Sequence, residues 1–208
     1  MRFARFGITL ERMQPHHIEL VRQWRNKDFV LKGMRFRQHI SRAAQIQWFE
    51  GLDLKANWYF VANSCGVPFA MFHIKDIDWV KRHGEAGGFV GDRGFVGRPE
   101  AARAILALMD FAFVVLQLTS LQAHYHPQLR RIALFNQQLG YQVDRLEPDG
   151  FACACVSADR YFNCAAAFRA AARLQHGPAA TICDPDESLE TRLEELLKAN
   201  SADFQLQL

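Results

Sequence analysis

The residue pattern predicts an α/β fold: a mixed, mostly antiparallel central sheet with helices on both faces, followed by a helical C-terminal extension. Three observations predict it. Two amphipathic stretches come first, "QPHHIELVRQW" (14–24) with Ile18, Val21 and Trp24 at helical spacing, and "SRAAQIQWFEGL" (41–52), which opens on a Ser cap before Ile46, Trp48, Phe49 and Leu52. Three runs rich in aromatic and β-branched residues follow, at 58–64, 68–79 and 84–92, separated by Gly, Pro or charge. The order then changes to helix (99–116), strand (120–126), helix (128–138) and two strands (140–146 and 150–156), a βαβ-like unit appended to antiparallel strands.

Each element has a local reason. The turn "SCGVP" supports a hairpin between the first two central strands, and Pro99 suits the first turn of the long helix. Beyond residue 158 the chain becomes alanine-rich, then enters "DPDESLETRLEELLKAN". There Asp184 caps, Pro185 occupies the first helical position and Glu187 completes a capping box before a stripe of Leu189, Leu193, Leu196 and Leu197. That stripe either packs back on the domain or meets a partner subunit in a homodimer. Residues 1–158 read as one domain and 159–208 as the extension.

Composition sets bounds. Among 208 residues, 50% are apolar and 23% charged, enough to bury a substantial core. The longest apolar stretch (105–118) is interrupted by Asp110 and Gln117 and suits a core helix better than a membrane span. The N-terminus lacks the apolar region of a signal peptide, so the expected location is cytoplasmic. A net charge of +3, with arginines scattered rather than collected, argues against a nucleic-acid groove and leaves small anionic ligands compatible. Five cysteines without CxxC spacing indicate neither a disulfide framework nor a metal site; Cys153 and Cys155 alternate on one strand face as buried thiols.

The segment "GGFVGDRGFVGRPEAARA" (87–104) places Gly88, Gly91, Gly94 and Gly97 three apart. The period is too short for collagen, and neither the dinucleotide nor the P-loop pattern is present. What remains is a strand, a glycine loop and a helix start. That arrangement serves either as an anion cradle of backbone amides and helix dipole or as a tight turn using glycine for positive φ.

Read with its surroundings, this segment resembles the cofactor-binding core of the GNAT acyl-CoA N-acetyltransferase superfamily, in particular the branch of ribosomal-protein N-terminal and nucleotide-sugar amine acetyltransferases. Glu85, Gly91, Asp92, Gly97, Ala101 and Ala104 fall on matching positions of its strand and loop, and "QLRRIALFNQQLGY" (128–141) retains Ile132, Leu134, Leu139 and Gly140 of its next helix. Upstream, "VRQWRN" and "MRFRQHIS" look like the opening of the nucleotide-sugar enzymes. The resemblance implies a GNAT-like sheet that splays between two parallel strands, here "GGFVGD" and "LQAHYH", to admit acetyl-CoA. It places the pantetheine arm at Phe89, Val90 and Gly91, the pyrophosphate at Gly94, Val96, Gly97, Arg98, Glu100 and Ala101, and the thiol and adenosine ends at a helix carrying Gln128 and Arg131.

The chain also departs from that pattern. Pro99 replaces the central loop glycine and has no N–H, and Phe135 replaces a tyrosine that donates a proton to the leaving thiolate. Acetyl transfer needs a base for the amine, and Glu85 is the first choice, with His73, His124 and His126 as further candidates. Thiolate protonation would fall to Tyr125, a histidine or water. The implied activity is acetyl-CoA-dependent transfer to a small amine; the upstream "WRN" and "MRFRQHIS" resemblance extends this to a nucleotide-linked amino sugar, whose phosphates Arg22, Arg25, Arg35 and Arg37 would meet. Protein or peptide N-termini form a second acceptor class, and a non-catalytic acyl-CoA- or partner-binding module is a third reading.

Overall fold

Cys65 and Gly66, at φ values of 49° and 79°, make a two-residue turn that folds β3 (Trp58–Ser64) back onto β4 (Val67–Asp78). The chain uses the same device at its start, where Phe6 and Gly7 (φ 55° and 70°) join β1 (Arg2–Arg5) to β2 (Ile8–Arg12). The sequence reading places no strand before residue 14. Two arginines hide this hairpin, because Arg5 and Arg12 stand at inward positions where alternation calls for apolar residues. Arg12 stacks its guanidinium 3.7 Å over the Trp58 ring and donates to the Leu54 carbonyl.

The computed structural model describes residues 1–185 and the backbone of Leu206 and Gln207. The remaining strands are β5 (His83–Val90), β6 (Ser120–Tyr125), β7 (Gln142–Leu146), β8 (Ala152–Ser157), β9 (Ala180–Cys183) and β10 (Leu206–Gln207). All ten lie in one sheet in the order β10-β9-β1-β2-β3-β4-β5-β6-β8-β7. The β5–β6 and β9–β10 pairs are parallel, the others antiparallel, so the expected α/β class with a mixed, mostly antiparallel sheet is the observed one.

Helices cover both faces. On one side α1 (Ile18–Arg25) and α3 (Arg42–Glu50), with the short α2 (Asp28–Leu31) between them, bury Val21, Trp24 and Val30 against Val61, Met71 and Phe89. On the other, α4 (Pro99–Asp110) packs Ala104, Ala107 and Leu108 in the larger core with Phe3, Phe60, Phe72 and Leu121. After Asp110 the helix widens into a π-turn over Phe111–Val115, where the sequence reading expects one α-helix to 116. The crossover helix α5 (Arg130–Gln138) starts after Gln128, which lies in the preceding turn; the expectation that a helix carries Gln128 is corrected here. The helix expected from Asp184 lies, from residue 186, outside the described residues. Among the described residues no helix is long and apolar enough to cross a membrane.

Residues after 158 enter the same core. Helices α6 (Ala158–Cys164) and α7 (Ala166–His176) contribute the fully buried Tyr161 and the buried Arg169, and both side chains reach Asp110. That carboxylate is itself fully buried at the end of α4. Arg5 Nε approaches to 2.5 Å, Tyr161 Oη donates at 2.8 Å, and Arg169 donates from Nε and Nη2 at 3.0 and 3.1 Å. Burial pulls the Arg5 pKa down, opposed by Asp110, and pushes the Tyr161 hydroxyl far above its usual range.

Removing the charge takes from two buried guanidiniums a counter-ion that they share. Asp110→Asn is therefore expected to lower unfolding free energy by about 3–5 kcal/mol in denaturant titrations. A change below about 1 kcal/mol would show that the cluster relaxes without it.

Candidate active site

The site begins where two strands part. β5 and β6 pair over His83↔Ser120, Gly84↔Leu121 and Glu85↔Gln122 and no further. Past that point β5 stays with β4 through Val90↔Ala70, and β6 stays with β8 through Tyr125↔Ala152. The sheet therefore opens between residues 86–90 and 123–125, leaving one backbone edge of β5 without a strand partner. Gly88, exposed at this opening, has φ 146°, and a Cβ there would stand 2.3 Å from the Met71 carbonyl oxygen. At the strand's exit Trp24 packs flat on Gly91, where a Cβ would fall 2.2 Å from the ring.

A chain of ionisable groups crosses the α1 side of the sheet at the root of this opening. Lys75 Nζ on β4 lies 3.2 Å from Glu85 Oε2, and the same oxygen lies 3.3 Å from His124 Nδ1. His124 Nε2 lies 3.3 Å from Glu147 Oε1. Glu147 also takes Arg145 Nη2 at 3.3 Å and Arg35 Nη2 at 2.5 Å. Arg35 comes from the loop between α2 and α3, reaches Asp149 at 3.1 Å and lies 4.8 Å over the Phe151 ring, strapping that loop across the β7–β8 turn. Hydrogen bonding from Arg35 holds the Glu147 carboxyl below its usual range. Burial alone would lower Lys75, but the bonds it donates to Asp76 and Glu85 outweigh it and raise the ammonium pKa.

Both ring nitrogens of His124 thus face carboxylate oxygens. Cys153, buried, stands directly across from His124 on β8, and one donor atom each from His124, Glu147 and Cys153 lie within 4.8 Å of one another. The two guanidiniums on Glu147 already meet its charge.

The other histidines are placed differently. His73 lies one strand away with both nitrogens buried and without hydrogen-bond partners among the described residues, against Gly87 and 5.2 Å from the Tyr59 ring. Burial pushes its pKa down to about 3, and that of Tyr59 up to about 12, so His73 is neutral across the physiological range. His126 follows the end of β6, packs edge-on to Phe151 and accepts from the Gln128 amide. Tyr125 points into the α4-side core, burial raising its pKa. Of the five catalytic candidates the structure brings Glu85 and His124 together; His73, His126 and Tyr125 stand apart from that pair. Lys75 and Glu147 were not among the sequence candidates. Lys75 is legible as the residue opposite Glu85 across the β4–β5 hairpin, whereas Glu147 carries no sequence signal, since β7 reaches His124 only through the β6-β8-β7 strand order.

At the far end of the opening the glycine loop is mostly closed on itself. Asp92 Oδ1 accepts from the Gly94 amide at 2.8 Å, and the amides of Val96, Arg98 and Ala101 donate to carbonyls of Arg93, Phe95 and Arg98. With Pro99 lacking an N–H, Gly97 and Glu100 are the loop amides from 94 to 101 that carry no such bond among the described residues. Gly97 has φ 78°, and the Arg131 guanidinium approaches it from α5, 3.9 Å from where a Cβ would be. The Glu100 carboxylate turns back toward Arg103 at 3.4 Å. Phe89 sits in the α1-side core, and Val90 packs against the α4 side. Phe135 faces Phe168 of α7 at 6.3 Å between ring centres.

Two solved structures frame this geometry. Spermidine N-acetyltransferase from Vibrio cholerae, in complex with CoA and spermine, superposes with a TM-score of 0.67 at 14% identity, covering 76% of this chain and 99% of that one. The chain shares its fold. An aminoglycoside acetyltransferase AAC(6')-Ib in complex with coenzyme A gives a TM-score of 0.64 at 16% identity over 75% of this chain and 97% of that one. No protein-family model and no curated protein sequence matches the chain.

Two consequences can be measured. Gly88→Ala combines a left-handed φ with a backbone collision and is expected to lose about 3 kcal/mol of stability, whereas Gly97→Ala, in open space, loses about 1 kcal/mol. Equal losses in the two variants would contradict the packing at Gly88. For His73 the folded pKa is depressed, so the unfolded chain binds the extra proton. Its contribution is complete above about pH 6.5 and is lost as pH falls toward 3, at up to about 1.4 kcal/mol per pH unit. Unfolding titrations of His73→Leu should lack that part of the acid slope.

Proposed function

We propose that the chain is an acetyl-CoA-dependent N-acetyltransferase that transfers the acetyl group directly to a small amine in a ternary complex. The observation that carries this reading is the opening between β5 and β6 with the Glu85–His124 pair at its root. An opening of this kind accepts an extended thioester arm along the unpaired edge of β5. The Gly97 and Glu100 amides, the N-terminus of α4, Arg98 and Arg131 are the groups that would meet the pyrophosphate.

The division of labour follows from the contacts. Glu85 takes a proton from the acceptor amine, directly or through water, as the nitrogen attacks the thioester carbonyl. The carbon–sulfur bond breaks with its electron pair on sulfur, and His124 passes a proton to that thiolate. Phe135 cannot do so, and Tyr125 faces the other side of the sheet. The proton on Glu85 then returns to His124 through the Nδ1 contact, restoring both groups.

For the acceptor, a nucleotide-linked amino sugar is supported by Arg25, whose buried Nη1 lacks a hydrogen-bond partner among the described residues while Nη2 holds the Phe36 carbonyl. Arg22, Arg35 and Arg37 have partners within the chain, on Glu19 and Ile40, on Glu147 and Asp149, and on Met34. A peptide N-terminus is the second acceptor class. The non-catalytic reading draws on Pro99, Phe135 and the Gly94 amide already taken by Asp92. Residues 1–158 would hold the activity, with 159–208 as a bracing extension, in a cytoplasmic setting.

Acetyl-CoA at about a hundred times its dissociation constant should add about 2.7 kcal/mol to stability, read as a rise in melting temperature. Absence of any rise at millimolar ligand would sink the enzyme readings. In thiol-release assays against amino-sugar nucleotides and peptides, Glu85→Gln should lose about a hundredfold in kcat. His124→Asn should lose a similar factor with acetyl-CoA yet recover to within a few-fold with an aryl thioacetate, whose thiolate leaves without protonation. An equal loss with both donors would assign His124 a structural role.

A further inference from the structure

The β7 edge of the sheet carries an unusual pattern. Every residue of β7 is exposed, although β7 is a full strand of the sheet, and α5 on the same side buries none of its residues. Val143, Leu146, Ile132 and Leu134 are 55%, 68%, 45% and 60% exposed. One side of β7 pairs with β8; among the described residues nothing pairs with the other.

The register shows what fits there. β7 has a bulge between Val143 and Arg145, so that Val143 aligns with Ala154 and Leu146 with Ala152. Ala152 and Ala154 both belong to the α4-side core, so Val143 and Leu146 point to one side of the sheet although they are three positions apart. In a regular strand they would point to opposite sides. A two-fold axis normal to the sheet, lying beside the free edge of β7 and level with the midpoint of Asp144 and Arg145, lays β7 antiparallel to a copy of itself. Val143 then meets Leu146 twice on one face, and Asp144 meets Arg145 twice. Both the apolar and the charged side chains are self-complementary in that register, and the bulge is what keeps them so.

We propose that this edge is an isologous docking surface for a second copy of the chain, joining two sheets through β7. Bulges block edge pairing by twisting an edge away and charges by repelling a copy, but here Asp144 and Arg145, 3.0 Å apart within one chain, present adjacent opposite charges that attract their counterparts about a two-fold. Cross-strand pairs of this kind contribute about 0.2–1 kcal/mol each, and the strand supplies main-chain hydrogen bonds besides.

Sedimentation of the full chain over a range of concentrations tests the idea without reference to catalysis. A dimer is expected. Asp144→Arg places Arg opposite Arg145 twice and should raise the dimer dissociation constant at least about tenfold, as should Leu146→Lys opposite Val143. The double variant Asp144→Arg with Arg145→Asp exchanges the charges and should restore wild-type association. These side chains are exposed, so circular dichroism and melting temperature should report folded protein throughout. A wild-type monomer at all concentrations would overturn the proposal. So would a dimer indifferent to Asp144→Arg, which would place the contact elsewhere, for instance on the leucine stripe at 189–197.

Discussion

A single buried carboxylate holds the molecule's parts in place. Asp110 ends α4, and its two oxygens gather Arg5 from the first strand, Tyr161 from α6 and Arg169 from α7. Residues at both ends of the chain therefore depend on one side chain in the middle. A buried ion cluster of this kind contributes little relative to a well-packed apolar substitute, because desolvation offsets attraction. Its physical effect is on arrangement: Arg5 of β1, Tyr161 of α6 and Arg169 of α7 all converge on the end of α4. Since α4 runs from the glycine loop to Asp110, fixing its far end also fixes where its N-terminus points.

The proposed catalytic function depends on a second constraint, the failure of β5 and β6 to stay paired. Gly88 departs from strand geometry at the point where the parallel ladder has ended, with no room for a side chain. The polar residues then concentrate at the root of the split, because only there do β4, β5, β6 and β7 bring Lys75, Glu85, His124 and Glu147 to one face. Arg35 binds the outermost carboxylate and so ties the α2–α3 loop to the same charges. Packing and electrostatics are coupled here: moving the loop changes what surrounds the imidazole.

Much of the fold was legible. The 58–64, 68–79 and 84–92 runs appear as β3, β4 and β5 within two residues at each end, because aromatic and β-branched residues between strong turn signals leave little alternative. The N-terminal hairpin was not legible, since Arg5 and Arg12 break the apolar alternation and their partners lie 105 and 42 residues away in sequence. At the site, Glu85 was readable as a candidate from the family resemblance and its strand position, and His124 from its place on the strand beside the expected opening. That they touch each other, while Tyr125 and His126 do not join them, depends on where the parallel pairing stops. The glycine loop shows the same limit: sequence exposes the missing N–H of Pro99, but only folding shows Asp92 occupying the Gly94 amide.

The sequence by itself determined the α/β class, the order of the central elements and the residue types available for chemistry, because periodicity and turn composition act over a few residues. It also marked Asp110 as a polar interruption in an apolar stretch. The tertiary structure decided what that interruption is for, which ionisable groups share a face, and which strand edge stays open. Those outcomes depend on strand order and register, which bring together residues far apart along the chain and leave no local trace in it.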